Sequence, residues 1–400
     1  METRMNIKNG DELSILGFGC MRLPKVNGGI DEKRAIAMIR NAIDGGVNYF
    51  DTAYIYHNGK SEPLLGKALS GGYRDKVKIA TKLPPFMVYK LEHAQKIFNH
   101  QLSRLGTDKI DYYLLHMLTD LAMFQRLESL GVLSWLENLK ENGSIDNIGF
   151  SFHGGKADFE SIVQAYPWDF CQIQYNYLDE NRQATKNGLK LAASLKIPVI
   201  VMEPLRGGKL ALNLPKEAIE AFEKFDPDRT PAEWALRWVW NHQEVNVLLS
   251  GMSTEGQLSE NIEIANSAKA NSLSDDELQV FKQVKTILRD KTKIPCTNCG
   301  YCMPCPYGVD IPGCFSAYND KYLLGGRNAR LRYMQVLGSM SARPANASQC
   351  KECGKCEPHC PQQINIRKQL KIVAKEMEGP FYKPLAWVAR KVLRINSKNF

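Results

Sequence analysis

Nine of the eleven cysteines fall between Cys296 and Cys360, at spacings suited to binding an inorganic cluster. The later run reads Cys350-x2-Cys353-x2-Cys356-x3-Cys360-Pro361. At that spacing three thiolates wrap one [4Fe–4S] cubane, and the fourth, set before a proline, reaches a second cubane. The earlier run, Cys296, Cys299, Cys302 and Cys305 before Pro306, is one residue shorter ahead of its last cysteine. Swapped ligation then predicts Cys296, Cys299, Cys302 and Cys360 on one cluster, and Cys350, Cys353, Cys356 and Cys305 on the other. The short run leaves open a single cluster, with Cys314 as a substitute for Cys305. Paired C-x2-C units also suit zinc, so two zinc knuckles are the rival reading.

A second group of residues closes apolar runs earlier in the chain. Asp51 ends Val47–Thr52, Lys82 ends Val77–Lys82, and His116 ends Ile110–His116. Tyr56 follows Asp51 by five residues, with Tyr54 as its rival. A phenol can protonate a carbonyl oxygen as hydride reaches the carbon. An ammonium held by a carboxylate beside it lowers the phenol pKa, and an imidazole can orient the carbonyl. One such residue at a strand end is usually structural; four together call for a common site.

The elements that must position them repeat a single unit. Further β-rich runs are Gly17–Leu23, Ile145–Phe152, Phe170–Asn176, Pro198–Glu203 and Val245–Met252. Amphipathic stretches intervene, among them Asp31–Asp44, Tyr89–Leu105, Phe124–Glu141 and Pro231–His242. The strand runs are almost wholly apolar, as in parallel strands buried on both faces. Eight strand–helix units predict an α/β fold, a (β/α)8 TIM barrel, with a doubly wound sheet as the alternative. Catalytic groups in such a barrel gather at the C-terminal ends of strands, where these four residues stand. Asn6–Ser14 is expected to form a hairpin across the floor, with Asn9-Gly10 as its turn. Ser274–Asp290 is expected to form an added helix with a capping-box start.

The boundary is placed near Lys291–Pro295. Residues 1–290 then form the barrel, and 291–400 a small, mainly helical, ferredoxin-like iron–sulfur domain with a basic tail. Helical stretches are expected at Ile311–Ala342 and Ile364–Met377. Charge divides at the same place: residues 1–290 carry 34 Lys and Arg against 37 Asp and Glu, and residues 291–400 carry 18 against 6. That basic excess offsets the anionic clusters, and the remainder can dock an acidic redox partner such as a ferredoxin or flavodoxin. The tail Phe381–Phe400 is basic and amphipathic; it is expected to pack on its own protein, with a membrane surface as the alternative. No nucleic-acid motif and no transmembrane run occurs, and the first residues lack the apolar core of a secretory signal. A cytoplasmic location, where thiols stay reduced, is the expectation.

Over residues 10–290 the chain resembles the aldo-keto reductases. The likeness rests on Phe50-Asp51-Thr52-Ala53 with Tyr56, then Gly59-Lys60-Ser61-Glu62 and Leu65-Gly66, together with Lys82 and His116. With the cysteine runs, it points to the subgroup carrying a C-terminal ferredoxin-type domain. The resemblance implies that Tyr56 is the general acid, Lys82 and Asp51 set its pKa, and His116 orients the substrate. It implies NAD(P)H bound without a Rossmann loop. Ser151 and Gln172 stand at its nicotinamide positions, Met202, Glu203, Leu205 and Arg206 along the dinucleotide, and Gly251, Gln257, Glu260 and Asn261 at the adenosine end. Several depart from the family pattern. Phe152 replaces an Asn, Met202 an aromatic and Glu203 a hydroxyl, while Gly251 and Gln257 replace the Lys and Arg that grip a 2′-phosphate. A carboxylate near a pyrophosphate repels it, and two lost cations weaken recognition of the extra phosphate. Arg206, before Gly207-Gly208, is the expected compensation. The implied function is an oxidoreductase interconverting a small carbonyl and its alcohol with NAD(P)H, with two fused [4Fe–4S] clusters, or one. The alternative is an iron–sulfur electron-transfer or redox-sensing protein whose barrel no longer uses NAD(P)H.

Overall fold

The computed structural model describes residues 1–296, 300–323, 329–339, 344–360 and 362–396. Cys299, Pro361 and the end of the tail, residues 397–400, lie outside the described residues, as do parts of the expected helix Ile311–Ala342.

Eight parallel strands close a barrel: β1 (Leu16–Gly19), β2 (Tyr49–Asp51), β3 (Lys78–Leu83), β4 (Ile110–Leu118), β5 (Ile145–Phe152), β6 (Phe170–Gln174), β7 (Val199–Met202) and β8 (Val245–Ser250). Each pairs with its sequence neighbours, β5 with β6 as closely as the rest, and β8 returns to β1 through Leu248↔Leu16. The interior is filled rather than hollow: Leu13, Tyr49, Ala80, Tyr112, Phe170, Ile200 and Val247 form one buried cluster. Gly17 leaves room for it, since a Cβ there would come within 2.8 Å of both Leu249 and Val247. Burying large side chains such as these contributes about 1.5–3 kcal/mol each, which is why the continuous apolar runs become strands.

The floor hairpin forms as Thr3–Met5 against Glu12–Ser14, with Asn9 and Gly10 in its turn. Strand ends are shorter than the apolar runs at β1 and β2, because pairing stops there: Met21 is exposed, and Val47 N–H instead closes the preceding helix on Ala42 O. The stretch Phe124–Glu141 is two helices, Leu121–Ser129 and Val132–Glu141. Gly131, at φ 75°, turns the chain between them through a left-handed conformation.

The chain divides into two compact units. One comprises Met1–Gly207 and Ala232–Ser274; the other gathers Gly208–Pro231 and the chain from Asp275 on. In the second unit, helix Lys216–Phe225 packs on the added helix Asp275–Asp290 through Phe222 and Phe281, and Arg229 pairs with Glu277. The rest is mainly helical. Ile311–Leu323, Ile366–Met377 and Tyr382–Asn396 enclose a core of Ile311, Phe315, Tyr333, Leu337, Leu370, Val373 and Tyr382. The tail helix buries Tyr382 and Ala386 in that core, while Phe381, Leu385 and Val388 are exposed. Glu378 accepts from Tyr333 Oη (2.7 Å), Asn346 Nδ2 (2.7 Å) and Ser348 N (3.0 Å), tying this core to the segment before Cys350. Among the described residues no helix is long and apolar enough to cross a membrane.

Candidate functional site

The barrel brings Asp51, Tyr56, Lys82 and His116 to one mouth. Register does most of the work: Asp51 lies opposite Ala80, two residues before Lys82 on the neighbouring strand, and Lys82 lies opposite Leu114, two before His116. Lys82 Nζ donates to Asp51 Oδ1 and Oδ2, both at 2.7 Å, and to the Thr52 carbonyl at 2.6 Å. It stands 3.4 Å from the Tyr56 hydroxyl. Tyr56 leaves β2 on a tight turn in which His57, Asn58 and Gly59 all have positive φ (51°, 55° and 83°). Two non-glycine residues held there store strain, which a surrounding structure must enforce. The rings of Tyr56 and His116 meet edge to face at 5.9 Å.

Burial decides the electrostatics. It presses Lys82 down, but the Asp51 carboxylate and the Tyr56 phenol together raise it above its ordinary value, so the ammonium persists. Burial also pushes the Tyr56 phenol up, and Lys82 only partly offsets it. The sequence-based expectation of a lowered phenol pKa therefore reverses, because desolvation outweighs the cation. Burial, then the nearby Lys82 and His153, hold His116 well below its usual value, so the imidazole is neutral at pH 7. Its Nδ1 is buried with no hydrogen-bond partner among the described residues.

A further layer was not read from the sequence as part of the site. Glu62, fully buried, accepts from Thr81 Oγ1 (2.7 Å), Gln101 Nε2 (2.8 Å) and Arg104 Nη1 (3.1 Å). Gln101 Nε2 also reaches the Lys82 carbonyl at 3.1 Å, so this network braces the end of β3. Glu62 within the Gly59-Lys60-Ser61-Glu62 stretch was the available signal.

Of the dinucleotide residues, Gln172 and Ser151 stand opposite each other across β6 and β5. Gln172 Oε1 is buried without a hydrogen-bond partner among the described residues, and its Nε2 lies 3.7 Å from Met202 Sδ. Ser151 Oγ accepts from Met117 N at 2.8 Å, which leaves its own hydroxyl proton to give. An orphaned acceptor beside an available donor fits a primary carboxamide. Glu203 takes a positive φ of 54° just past β7, and Leu205 is half-buried beside it. Arg206 is buried, its Nε bonded to Asp179 Oδ2 at 2.9 Å. That carboxylate also takes Gln174 Nε2 (2.8 Å) and Asn176 Nδ2 (3.0 Å), and its other oxygen takes Arg182. Another cation, Arg22, lies across the expected phosphate end: a Cβ on Gly207 would fall 2.5 Å from its Nη2, and one on Gly251 3.0 Å from its Cδ. A cation three residues past β1 was the signal for it. Gln257 Oε1 accepts from Ser253 N (2.9 Å) and Oγ (3.2 Å). Asn261 Nδ2 donates to Ser250 Oγ at 2.8 Å, and Glu260 is half-buried next to it.

In the second unit the cysteines line two cavities. Cys296, Cys302 and Cys360 border one, with Ile311, Phe315 and Ile366. Cys305, Cys350, Cys353 and Cys356 border the other, of about 420 Å³, with Lys351, Lys355 and Arg367. Cys302 reaches the edge of both. Cys305 thus sits with the later run and Cys360 with the earlier, the grouping that swapped ligation requires; Cys299 lies outside the described residues. Among those residues no three His, Cys, Asp or Glu side chains converge on one metal-ion position. Cys314 borders neither cavity: it is buried in the core, its Sγ 3.6 Å from the Ala345 carbonyl and 3.8 Å from Tyr333 Oη. The cysteines of both cavities, and the cations beside Cys305, Cys350, Cys353 and Cys356, suit anionic iron–sulfur cubanes.

Comparison with known proteins agrees with both halves. The model of the aldo/keto reductase family matches residues 15–285, and that of the 4Fe-4S dicluster domain matches 295–366. A probable aldo-keto reductase of Glycine max is 29% identical over 314 residues, covering 69% of this chain and 86% of that protein. An uncharacterized oxidoreductase of Bacillus subtilis (strain 168) is 26% identical over 304 residues, covering 68% and 92%. Among solved structures, the holo form of an aldo-keto reductase from Bacillus halodurans superposes with a TM-score of 0.60 at 26% identity, covering 71% of this chain and 96% of that one. An aldo-keto reductase from Klebsiella pneumoniae, solved in complex with NADPH, gives 0.58 at 22% identity over the same shares and supports the fold alone.

Proposed function

Since this chain belongs to the aldo/keto reductase family, matched over residues 15–285, we propose that its barrel interconverts a small carbonyl compound and its alcohol with NAD(P)H. The observation that carries this reading is Lys82 Nζ, clamped by both oxygens of Asp51 and 3.4 Å from the Tyr56 hydroxyl. The nicotinamide, when bound, supplies or accepts the hydride. Tyr56, an intact phenol at neutral pH, gives its proton to the carbonyl oxygen as negative charge develops there. The phenolate it leaves faces the Lys82 ammonium, which is worth more in a buried site than in water. Neutral His116 donates a ring N–H to the same oxygen and fixes its direction. Asp51 keeps the proton on Lys82 throughout.

Gln172 Oε1 would accept from the nicotinamide amide, and the Ser151 hydroxyl would donate to its oxygen. At the phosphates, Arg22 takes the part first expected of Arg206, whose guanidinium Asp179 already holds. Without a cation at Gly251 or Gln257, little favours NADPH over NADH.

The C-terminal region is a 4Fe-4S dicluster domain. Its two cysteine groups would hold one cluster each, which would supply one-electron exchange with an external, acidic carrier such as a ferredoxin or flavodoxin. Solvent-reachable thiolates of this kind need a reducing compartment, and we place the protein in the cytoplasm.

Anaerobic titration with NADH and NADPH, followed by turnover of a test aldehyde, examines the barrel reading. Saturable binding with turnover supports it; silence from both cofactors sinks it. A second reading, an electron-transfer or redox-sensing protein without NAD(P)H, draws on Glu203 and on the missing cations at 251 and 257, and predicts that silence.

A further inference from the structure

The two cysteine cavities differ in their surroundings, and the difference gives the module a direction. Phe315 and Ile366 beside Cys296, Cys302 and Cys360 are each 1% exposed, while Ile311, also at 1%, borders both cavities. Around the other cavity Cys353 is exposed, and so are Lys351, Lys355 and Arg367. Three large apolar side chains share its rim in the open: Tyr301 at 67%, Tyr307 at 47% and Met303 at 38% exposure. Arg367 is paired with Glu357, but Lys351 and Lys355 make no ion pair with the described residues. Exposed aromatics and a Met beside two unpaired lysines have the composition of a protein-docking patch, which joins apolar anchors to charge.

We infer that this rim, built by Tyr301, Met303 and Tyr307 with Lys351 and Lys355, is the docking face for an acidic one-electron carrier protein. The cluster held by Cys305, Cys350, Cys353 and Cys356 is then the entry port, and the apolar-walled cluster lies behind it. The inference rests on the reading of the module as an electron-transfer unit. In the exchange the carrier gives up one electron and is oxidised, the port cluster takes that electron and is reduced, and no proton or group moves. Charge complementarity selects the occupant. An acidic carrier is drawn to the lysines and steered in orientation, whereas a basic one is repelled.

The test uses the full-length protein purified anaerobically with its clusters, and an acidic [2Fe–2S] ferredoxin as the probe. Two quantities are read: the Kd for the oxidised ferredoxin at low and high salt, and the stopped-flow rate at which the reduced ferredoxin bleaches the clusters. Lys351→Glu/Lys355→Glu is expected to slow association about tenfold or more at low salt and to flatten the salt dependence. Tyr301→Ala/Tyr307→Ala is expected to weaken binding at both salt concentrations. Reduction by dithionite reports whether each variant still carries its clusters. Should the charge reversal lose iron, Lys351→Gln/Lys355→Gln replaces it, with a smaller effect of the same sign. Lys282→Glu, an exposed reversal on helix Asp275–Asp290, is the control. Wild-type rates in the rim variants, or an equal loss in the control, overturn the docking face while leaving electron transfer intact. Clusters that dithionite reduces but the ferredoxin does not touch overturn the electron-transfer reading and this inference with it.

Discussion

The Lys82–Asp51 pair offers the sharpest test of the barrel site, because its two halves should fail in opposite ways. Their side chains are 0% and 4% exposed, and three hydrogen bonds of 2.6–2.7 Å hold the ammonium. Removing one partner of a buried pair leaves an uncompensated charge and costs about 3–5 kcal/mol. For a domain of this size each kcal/mol lowers Tm by roughly 2–4 °C, so Lys82→Met and Asp51→Asn should each melt roughly 6–20 °C below wild type at pH 7. The pH dependences then diverge. In Lys82→Met the stranded Asp51 has its folded pKa raised by burial, so it binds a proton more readily folded than unfolded, and the deficit shrinks as pH falls from 7 to 5. In Asp51→Asn the stranded Lys82 has its folded pKa depressed by burial, so the deficit shrinks as pH rises toward 9. Asp51→Asn/Lys82→Met, with no stranded charge, should be more stable than the less stable single variant and nearly flat against pH. Thermal melts followed by circular dichroism at pH 5, 7 and 9, each referred to wild type, decide it. Two singles that melt with wild type, or that shift with the same sign, refute a charged buried pair.

Three further outcomes follow from the same geometry. Tyr56→Phe should lower kcat for a test aldehyde by about 10²–10⁴-fold with NAD(P)H affinity retained, since it removes only the proton donor; steady-state kinetics with a fluorescence titration checks both. His116, held well below its usual pKa, stays neutral in the folded barrel while its unfolded counterpart takes up a proton below about pH 6.5. Stability should therefore fall on acidification, by about 1.4 kcal/mol per pH unit at most, and His116→Gln should flatten that slope in urea titrations from pH 7.5 to 5.5. Cys305→Ser should alter the EPR signal of the cluster held by the later run, and Cys360→Ser that of the earlier one. Each altered within its own run would refute the swap.

What the sequence revealed depended on how local the cause was. Continuous apolar runs identify strands because burial on both faces acts residue by residue, and Ile145–Phe152 matches its strand end to end. Ends set by a neighbour's pairing, as at β1 and β2, carry no local signal. Gly131 carried a weak one: it divides a helical stretch only because its own φ is positive. Asp51, Lys82 and His116 were legible because a polar group at the end of an apolar run is conspicuous, and the cysteines because their spacing is itself the ligand geometry. The pairing of Arg206, expected as the phosphate cation, was not legible because its partner Asp179 lies a strand away, and only the fold brings them to 2.9 Å. Arg22, proposed in its place, was illegible for the converse reason: the space it occupies exists because residues 207 and 251 are glycines, and a missing side chain is hard to read as an invitation.

The proposed cysteine swap also bears on how many electrons the module can hold. A hydride is worth two electrons, and a [4Fe–4S] cluster passes one at a time. A module with one cluster stores one electron and must pass it on before it takes the next. A module with two can store the pair. If Cys305 and Cys360 exchange between runs, that pair is one structure, since neither cluster would have its fourth thiolate without the other run in place. Iron and sulfide counts on the anaerobic protein therefore do more than number the clusters. About eight irons per chain would make the module's capacity equal to one hydride, and about four would leave it at half.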